Sequence, residues 1–334
     1  TSAGLAAGTT IAVKVSGTGT AVTKNVTTNL DGTWSAEMGT VDGLADGTLT
    51  ITANGSDTAG NAAVQASKTV EYDDVAPVIA IDGTLEGDNK VNSSEDGHVV
   101  VTGTVTVSGV HTDLVGKTVN VTLTDADSLS VSTTAVVLSS GKFVAEAVDI
   151  GAFKDGNITV AATVSDTAGN STAASTKTIT LDNAAPTITI AATLEGDNIV
   201  NATEDNDVVI SGATSGVADA SGAVTVTFTD GTSTVTKTAN VSSDTWTLTG
   251  SEADISSLKN GPITVTANVS DAHGNAATAA TRTITLDNVV PTITIDGTLE
   301  GDNYVNSSEE GDIIVSGTSA GLAAGTTIAV KVSG

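Results

Sequence analysis

The chain is 334 residues long, carries 12 Lys and Arg against 39 Asp and Glu for a formal charge of −27, and has no cysteine. A field of that sign repels nucleic acid and anionic lipid surfaces and draws in cations, while the missing thiols exclude a disulfide framework. Composition disfavours disorder: 39% of residues are hydrophobic, many of them β-branched, and only 2% are aromatic, so the cores are small and aliphatic. No apolar run reaches the roughly 20 residues of a membrane helix. No signal peptide opens the chain, which reads as an interior window of something longer.

In chain order the first marks are TSAGLAAGTTIAVKVSG (Thr1–Gly17), Trp34, the loop SDTAGN (Ser56–Asn61) and a D-x-x-x-P junction at Asp73–Pro77. Beyond Pro77, apolar–polar alternation predicts seven strands: A over Val78–Ile81, B over Val99–Val107, C over Val119–Thr124, D over Leu129–Leu138, E over Phe143–Ile150, F over Ile158–Ser165 and G over Thr176–Leu181. The breaks are EGDN, DADS, SSGK, KDGN and DTAGN, all built from turn formers. Thr-x-Thr alternation puts aliphatic side chains inward and threonines outward. Trp34, Phe143 and Trp246 fall at the same place, the start of strand E, and are expected as core anchors. Seven strands at this spacing predict an all-β, immunoglobulin-like Greek-key sandwich.

These marks then return. SDTAGN recurs at Ser165–Asn170 and as SDAHGN at Ser270–Asn275; LEGDNxVN starts at Leu85, Leu194 and Leu299; the proline junction returns at Asp182–Pro186 and Asp287–Pro291. Each series steps by 109 and then 105 residues, one sandwich per repeat. The opening segment recurs letter for letter at Thr318–Gly334. The predicted organisation is a linear rod of tandem sandwiches. A partial repeat over 1–75 lacks strands A and B, complete repeats span 76–184 and 185–289, and a partial repeat over 290–334 holds first strands only. Partners are then neighbouring repeats of the same chain, with possible head-to-tail self-association through the incomplete end repeats, whose strand edges lack partners.

Strand order predicts where the acids gather. The A–B loop (Glu86–Asp96) lies at the bottom of its sandwich beside the exit of strand G at Asp182 and Asn183, and the F–G loop of the following repeat faces the same junction. Carboxylates and amides crowded without Lys or Arg need a cation among them. Calcium, with six to eight oxygen ligands in irregular geometry, fits this donor set; softer metals want His or Cys. The predicted ligands between the second and third repeats are Glu86, Asp88, Asn89, Asn92, Glu95, Asp182, Asp271 and Asn275. The preceding junction has Asp73, Asp74, Asp166 and Asn170, and the following one Glu195, Asp197, Asn198, Asn201, Glu204 and Asp287. Asp125, Asp127 and Asp230 in the C–D turn form a second candidate group. Set against this, DG, DN and GDN are ordinary turn formers, and acidic surfaces also serve solubility.

The frames DNAAPTITI, LEGDNIVNATED, VVISG and SDTAGN resemble the bacterial Ig-like extender repeats of giant calcium-dependent repeats-in-toxin (RTX) adhesins of Gram-negative bacteria, the type I-secreted class of biofilm, host-cell and ice adhesins. That resemblance implies an extracellular stalk on the bacterial cell surface, calcium-rigidified linkers at the junction residues above, and adhesion carried by other domains. Catalysis is not expected. His98, His111 and His273 share no repeat position, and the chain lacks the aromatic platforms and long loops of a sugar cleft. The remaining alternatives are a ligand-binding module for glycan, host surface or ice, and a self-associating biofilm matrix repeat.

Overall fold

A computed structural model describes residues 4–106, 114–218, 223–248 and 253–334. Two compact units divide the chain between Asn183 and Ala184. The first opens with β1 (Thr10–Ser16), β2 (Val22–Thr27), β3 (Gly47–Gly55) and β4 (Ala66–Tyr72), which form one antiparallel sheet in the order β2-β1-β3-β4.

A full sandwich follows, made of β5 (Val78–Ile81), β6 (Lys90–Asn92), β7 (Thr102–Thr106), β8 (Thr118–Thr124), β9 (Ser130–Val136), β10 (Lys142–Val144), β11 (Gly156–Val164) and β12 (Ser175–Asp182). One sheet runs β10-β7-β5 and the other β6-β12-β11-β8-β9. Strand β8 shows why these residues choose sheet: Val119, Val121 and Leu123 are fully buried while Thr118, Asn120 and Thr122 face outward. Leu123, Phe143, Ile150, Ile158, Ile179 and Leu181 fill the space between the sheets, and each such side chain stabilises by about 1.5–3 kcal/mol.

The second unit has the corresponding strands β13 (Thr187–Ile188), β14 (Ile199–Asn201), β15 (Ile210–Ser215), β16 (Ala223–Thr229), β17 (Thr234–Ser242), β18 (Thr245–Leu248), β19 (Gly261–Asn268) and β20 (Ala280–Asp287), but β17 pairs with both β16 and β18 and so joins them into one eight-stranded sheet, β13-β15-β18-β17-β16-β19-β20-β14. Its core is anchored by Trp246 and Phe228. The indole N–H of Trp246 donates to the Thr189 carbonyl at 3.2 Å, so the ring is buried with its polar atom satisfied. β21 (Thr292–Ile295) and β22 (Gly317–Ala320) close the chain as an antiparallel pair.

The expected strands A, C, D, F and G appear within a few residues of their predicted places, but strand E, predicted over Phe143–Ile150, is only the three-residue β10, beyond which Val148 makes an isolated bridge. Strand B is shorter, starting at Thr102 after an isolated bridge of Val99 to Val148, and its predicted end at Val107, like His111, lies outside the described residues. The A–B segment is not all loop: Lys90–Asn92 forms β6, which pairs parallel with β12. Buried Val91 pins this three-residue strand, too short to show periodicity. Trp34 is half-buried rather than a core anchor, and its neighbours form no strand. Phe143 and Trp246 pack over Gly103 and Gly212, where an added Cβ would stand 2.6 Å from ring atoms. Trp34 has no such glycine strand above it among residues 4–75.

Candidate metal centre at the repeat ends

Each sandwich ends in the same oxygen-rich knot, wired first by the string LEGDNxVN. Left-handed backbone at Glu86 (φ 49°) and Asn89 (φ 66°), repeated at Glu195 and Asn198 with the same angles, turns the chain sharply. Asn89 Oδ1 accepts the Leu85 N–H at 2.9 Å and Asp88 the Lys90 N–H at 2.9 Å. Asn92 accepts the Ser94 N–H at 2.9 Å, Glu95 the Asn92 N–H at 3.1 Å, and Glu86 the Val100 N–H at 2.7 Å. Glu195, Asp197, Asn198, Asn201 and Glu204 make the equivalent bonds to the N–H groups of Val209, Ile199, Leu194, Thr203 and Asn201. Every predicted ligand in this loop therefore already engages one side-chain oxygen with its own backbone.

The loop is then tied to the end of the last strand. Parallel pairing sets Asn92 opposite Asp182, and Asn201 opposite Asp287. Asn183 Nδ2 donates to Asp96 Oδ2 at 2.9 Å and its backbone N–H to Asp155 Oδ1 at 3.0 Å. Asn288 does the same with Asp205 at 3.0 Å and Asn260 at 3.1 Å. In the first segment the Asp74 N–H reaches Asp46 Oδ1 at 3.2 Å. Asp46, Asp155 and Asn260, with Asp96 and Asp205, thus belong to the knot although the predicted ligand set omits them. The signal was present: A-D-G, K-D-G and K-N-G turns at 45–47, 154–156 and 259–261 keep the 109 and 105 residue steps.

The Asn183 side chain tests whether a cation fits. Its Oδ1 is buried and meets no hydrogen-bond donor, an arrangement that costs about 1–3 kcal/mol if nothing else approaches. A Cβ on Gly151 would lie 2.8 Å from Asp96 Oδ2 and 3.3 Å from Asp149 Oδ1, so a further carboxylate borders the same spot. A closed-off amide oxygen beside Asp96, Asp149 and Asp155 suits a hard cation that mixes carboxylate and amide ligands. Among the described residues no three His, Asp or Glu side chains converge tightly enough to hold a metal ion alone. A cation here would depend on amide and backbone oxygens as much as on carboxylates.

At the opposite end of the sandwich, the F–G loop is equally self-wired. Asp166 Oδ1 accepts the Gly169 and Asn170 N–H groups at 2.8 Å each, and Oδ2 the Asn170 amide at 2.9 Å. Burial pushes this carboxyl up, but the Asn170 side chain and the loop N–H groups outweigh it and hold Asp166 below the usual carboxylate range. Asp271 and Asn275, in the second unit, share this wiring. The Asn170 amide also donates to the Asp73 carbonyl at 3.0 Å. Asp73 in turn accepts the Val75 N–H at 3.2 Å, and Asp74 the Tyr72 hydroxyl at 2.9 Å. Asp73, Asp74, Asp166 and Asn170 are thus brought to one neighbourhood. The set Glu86–Asp182 gathers at one sandwich end, and Asp271 and Asn275 at one end of the other unit's sandwich.

The C–D turn has a different occupation. Asp125 accepts the Asp127, Leu129 and Lys154 N–H groups at 2.8–3.0 Å, and Lys154 Nζ pairs with Asp127 at 3.2 Å. Asp230 likewise takes the N–H groups of Thr232, Ser233 and Lys259. The Lys154 N–H foremost for Asp125, and the Ser233 N–H foremost for Asp230, hold both carboxyls below their ordinary values. These aspartates fasten the C–D turn to the E–F turn.

The bacterial Ig-like domain (group 3) family model matches residues 146–234 and 245–324, just over half of the chain. No curated protein matches. Among solved structures, the chain is similar to a tetra-tandem repeat in the extending region of a large adhesion protein, at 27% identity over 94% of this chain and 81% of that one, with a TM-score of 0.32. It is also similar to a Ca2+-stabilized adhesin with which an Antarctic bacterium binds ice, at 25% identity over 95% and 75% of the two chains, with a TM-score of 0.43. A 1.5-MDa bacterial ice-binding adhesin aligns at 23% identity over 84% and 87%, with a TM-score of 0.40. The residues matched by the family model run from the later strands of the first sandwich across the second. On that ground the chain belongs to the bacterial Ig-like domain family, group 3.

Proposed function

We propose that the chain is a structural extender: a stalk segment of a bacterial adhesin, outside the cell on the surface of a Gram-negative bacterium, in which calcium at the repeat ends stiffens the array and so projects an adhesive domain. In this reading the segment comprises two whole repeats, 76–184 and 185–289, flanked by partial ones, and its own role is mechanical rather than enzymatic. The observation that carries it is the recurrence of one oxygen-rich knot. The buried, donorless oxygen of Asn183 beside Asp96, Asp149 and Asp155 is the point where a hard cation would add most. Asp182, Asp73, Asp74 and the F–G aspartates would supply further oxygens at the junctions, within the broad geometry calcium accepts. When bound, the ion supplies positive charge that offsets a chain of net charge −27 and removes hinge freedom between repeats.

Calcium dependence also gives secretion through a narrow export route a simple logic. Mutual repulsion keeps the chain loose where calcium is scarce, and millimolar extracellular calcium sets it, because a ligand that binds only the ordered state stabilises that state. The test is small-angle scattering and thermal melting of the chain in calcium and in EGTA. A longer maximum dimension and a higher Tm with calcium are expected. Identical curves in the two buffers would remove calcium from the proposal and leave a flexible string of sandwiches.

A further inference from the structure

Two Asn-Gly pairs occur in the chain, Asn54–Gly55 and Asn260–Gly261. A glycine after asparagine leaves the main-chain nitrogen without side-chain cover, so this is the pair in which an asparagine amide is most open to attack by its own backbone. The two pairs sit in opposite settings. Asn54 and Gly55 lie inside a sheet, in register with Ala12 and Ile11 of β1. Around Gly55 the space is taken: a Cβ there would stand 2.9 Å from Ile11 Cδ1, 3.3 Å from Leu5 Cδ1 and 3.4 Å from the Thr10 carbonyl oxygen. Asn260 is exposed in the turn before β19. Gly261, the first residue of that strand, has φ 124° and no atom within 4 Å of the same point.

The turn already suits the product of such an attack. Asn260 occupies the position that holds Asp46 and Asp155 in the other repeats, in steps of 109 and 105 residues. Asp46 Oδ1 accepts the Asp74 N–H at 3.2 Å, Asp155 Oδ1 the Asn183 N–H at 3.0 Å, and Asn260 Oδ1 the Asn288 N–H at 3.1 Å. One turn thus holds a carboxylate twice and an amide once, with the same hydrogen bond. An aspartate at 260 keeps that bond and strengthens it, because the acceptor becomes charged. The Asn288 side chain donates to Asp205 at 3.0 Å, as Asn183 does to Asp96 at 2.9 Å. A carboxylate at 260 would complete around Asn288 the pair of acids that Asn183 has in Asp96 and Asp155.

We propose that Asn260 is a site of spontaneous deamidation, through which the second repeat acquires with time the acid that the other repeats carry from synthesis. The Gly261 nitrogen gives its proton to hydroxide and attacks Cγ of Asn260. A bond forms between that nitrogen and Cγ, the carbonyl electron pair moves onto Oδ1, and the Asn288 N–H already on Oδ1 stabilises the charge. The Cγ–Nδ2 bond then breaks, and Nδ2 leaves as ammonia with a proton from water, which restores the hydroxide. Water opens the five-membered imide. Attack at Cγ breaks the bond just formed and gives aspartate, whereas attack at the main-chain carbonyl carbon breaks the original peptide bond and leaves isoaspartate. Either way the Gly261 nitrogen takes back a proton, and one water is consumed for each ammonia released. Asn54 also has a donor on Oδ1, the Gln65 amide at 3.1 Å, so the two sites differ in main chain rather than in amide. The reaction rests on this turn alone and is independent of the calcium proposal.

The experiment is incubation of the whole chain in water enriched in heavy oxygen at mildly alkaline pH, followed by peptide mapping with mass spectrometry. Heavy oxygen is expected to enter at Asn260 about tenfold or more faster than at Asn54, and faster still as pH rises. In urea, with both pairs unfolded, the two rates are expected to converge. Asn260→Gln, whose longer side chain would have to close a six-membered ring, is expected to abolish labelling at this position. Asn260→Asp copies one product and is expected to melt like the parent chain, as Asp46 and Asp155 imply. An unlabelled Asn260, or labelling of Asn54 just as fast in the folded chain, overturns the proposal. So does a large loss of Tm in Asn260→Asp, or a rate ratio that persists in urea and therefore owes nothing to the turn.

Discussion

The segment TIAVKVS occurs twice and meets two fates. As β1, between β2 and β3, it buries Ile11, Val13 and Val15; as Thr327–Ser333 it forms no strand and exposes Ile328, Val330 and Val332. Identical letters give identical propensities, so the difference lies wholly in whether neighbouring strands are there to take the backbone N–H and C=O groups and to cover one face. β-propensity is a statement about fit to a surface that the rest of the chain must supply. The same lesson separates Trp246, sealed in a core, from Trp34, half-buried beneath no second sheet.

That contrast can be broken at matched positions. Phe143→Ala or Trp246→Ala opens a cavity in a closed sandwich and is expected to cost about 3–5 kcal/mol of that repeat's stability, whereas Trp34→Ala should cost well under half as much; urea melts followed by hydrogen exchange of each repeat would show it. Val13→Asp and Val330→Asp place one charge on the same letter in its two settings. The first is expected to lose about 3 kcal/mol or more from the first sheet by burying an unpaired carboxylate, and the second to stay within about 0.5 kcal/mol. Equal effects would mean that the two copies share one environment.

Gly151→Ala sharpens the picture of the knot, because its Cβ must displace the Asp96 and Asp149 carboxylates. It is expected to lower calcium affinity about tenfold, by titration calorimetry. The smallest effect concerns acid. The carboxyls of Asp57, Asp125 and Asp166 sit below their ordinary values in the folded chain. Their contribution is present above the unfolded carboxylate pKa and fades as pH falls through the lower folded values. Tm should therefore decline gradually below about pH 4, and Asp166→Asn should flatten that decline in the first unit only.

Much of this was legible in the sequence because it is periodic. A 109 and 105 residue step exposes the repeat, alternation gives the strands, and Val78–Ile81 and Thr118–Thr124 lie where the pattern puts them. Three things were hidden for physical reasons. β6 has three residues and is held by a single buried valine, so no period exists to detect. Asp155 acts at the knot through a contact with Asn183, 28 residues away, and the repetition of its K-D-G turn does not by itself tell which strand end that turn meets. Trp34 carries the sequence signature of an anchor, yet anchoring requires a facing strand that its own segment does not provide.

The parallel pairing of β6 with β12 has a mechanical consequence. β6 stands near the start of its repeat and β12 at the end, so tension along the chain pulls them toward opposite poles. The ladder between them is loaded sideways, all its bonds together, instead of being peeled open one rung at a time. A repeat fastened this way should yield abruptly under force, with a strand of only three residues as its bolt.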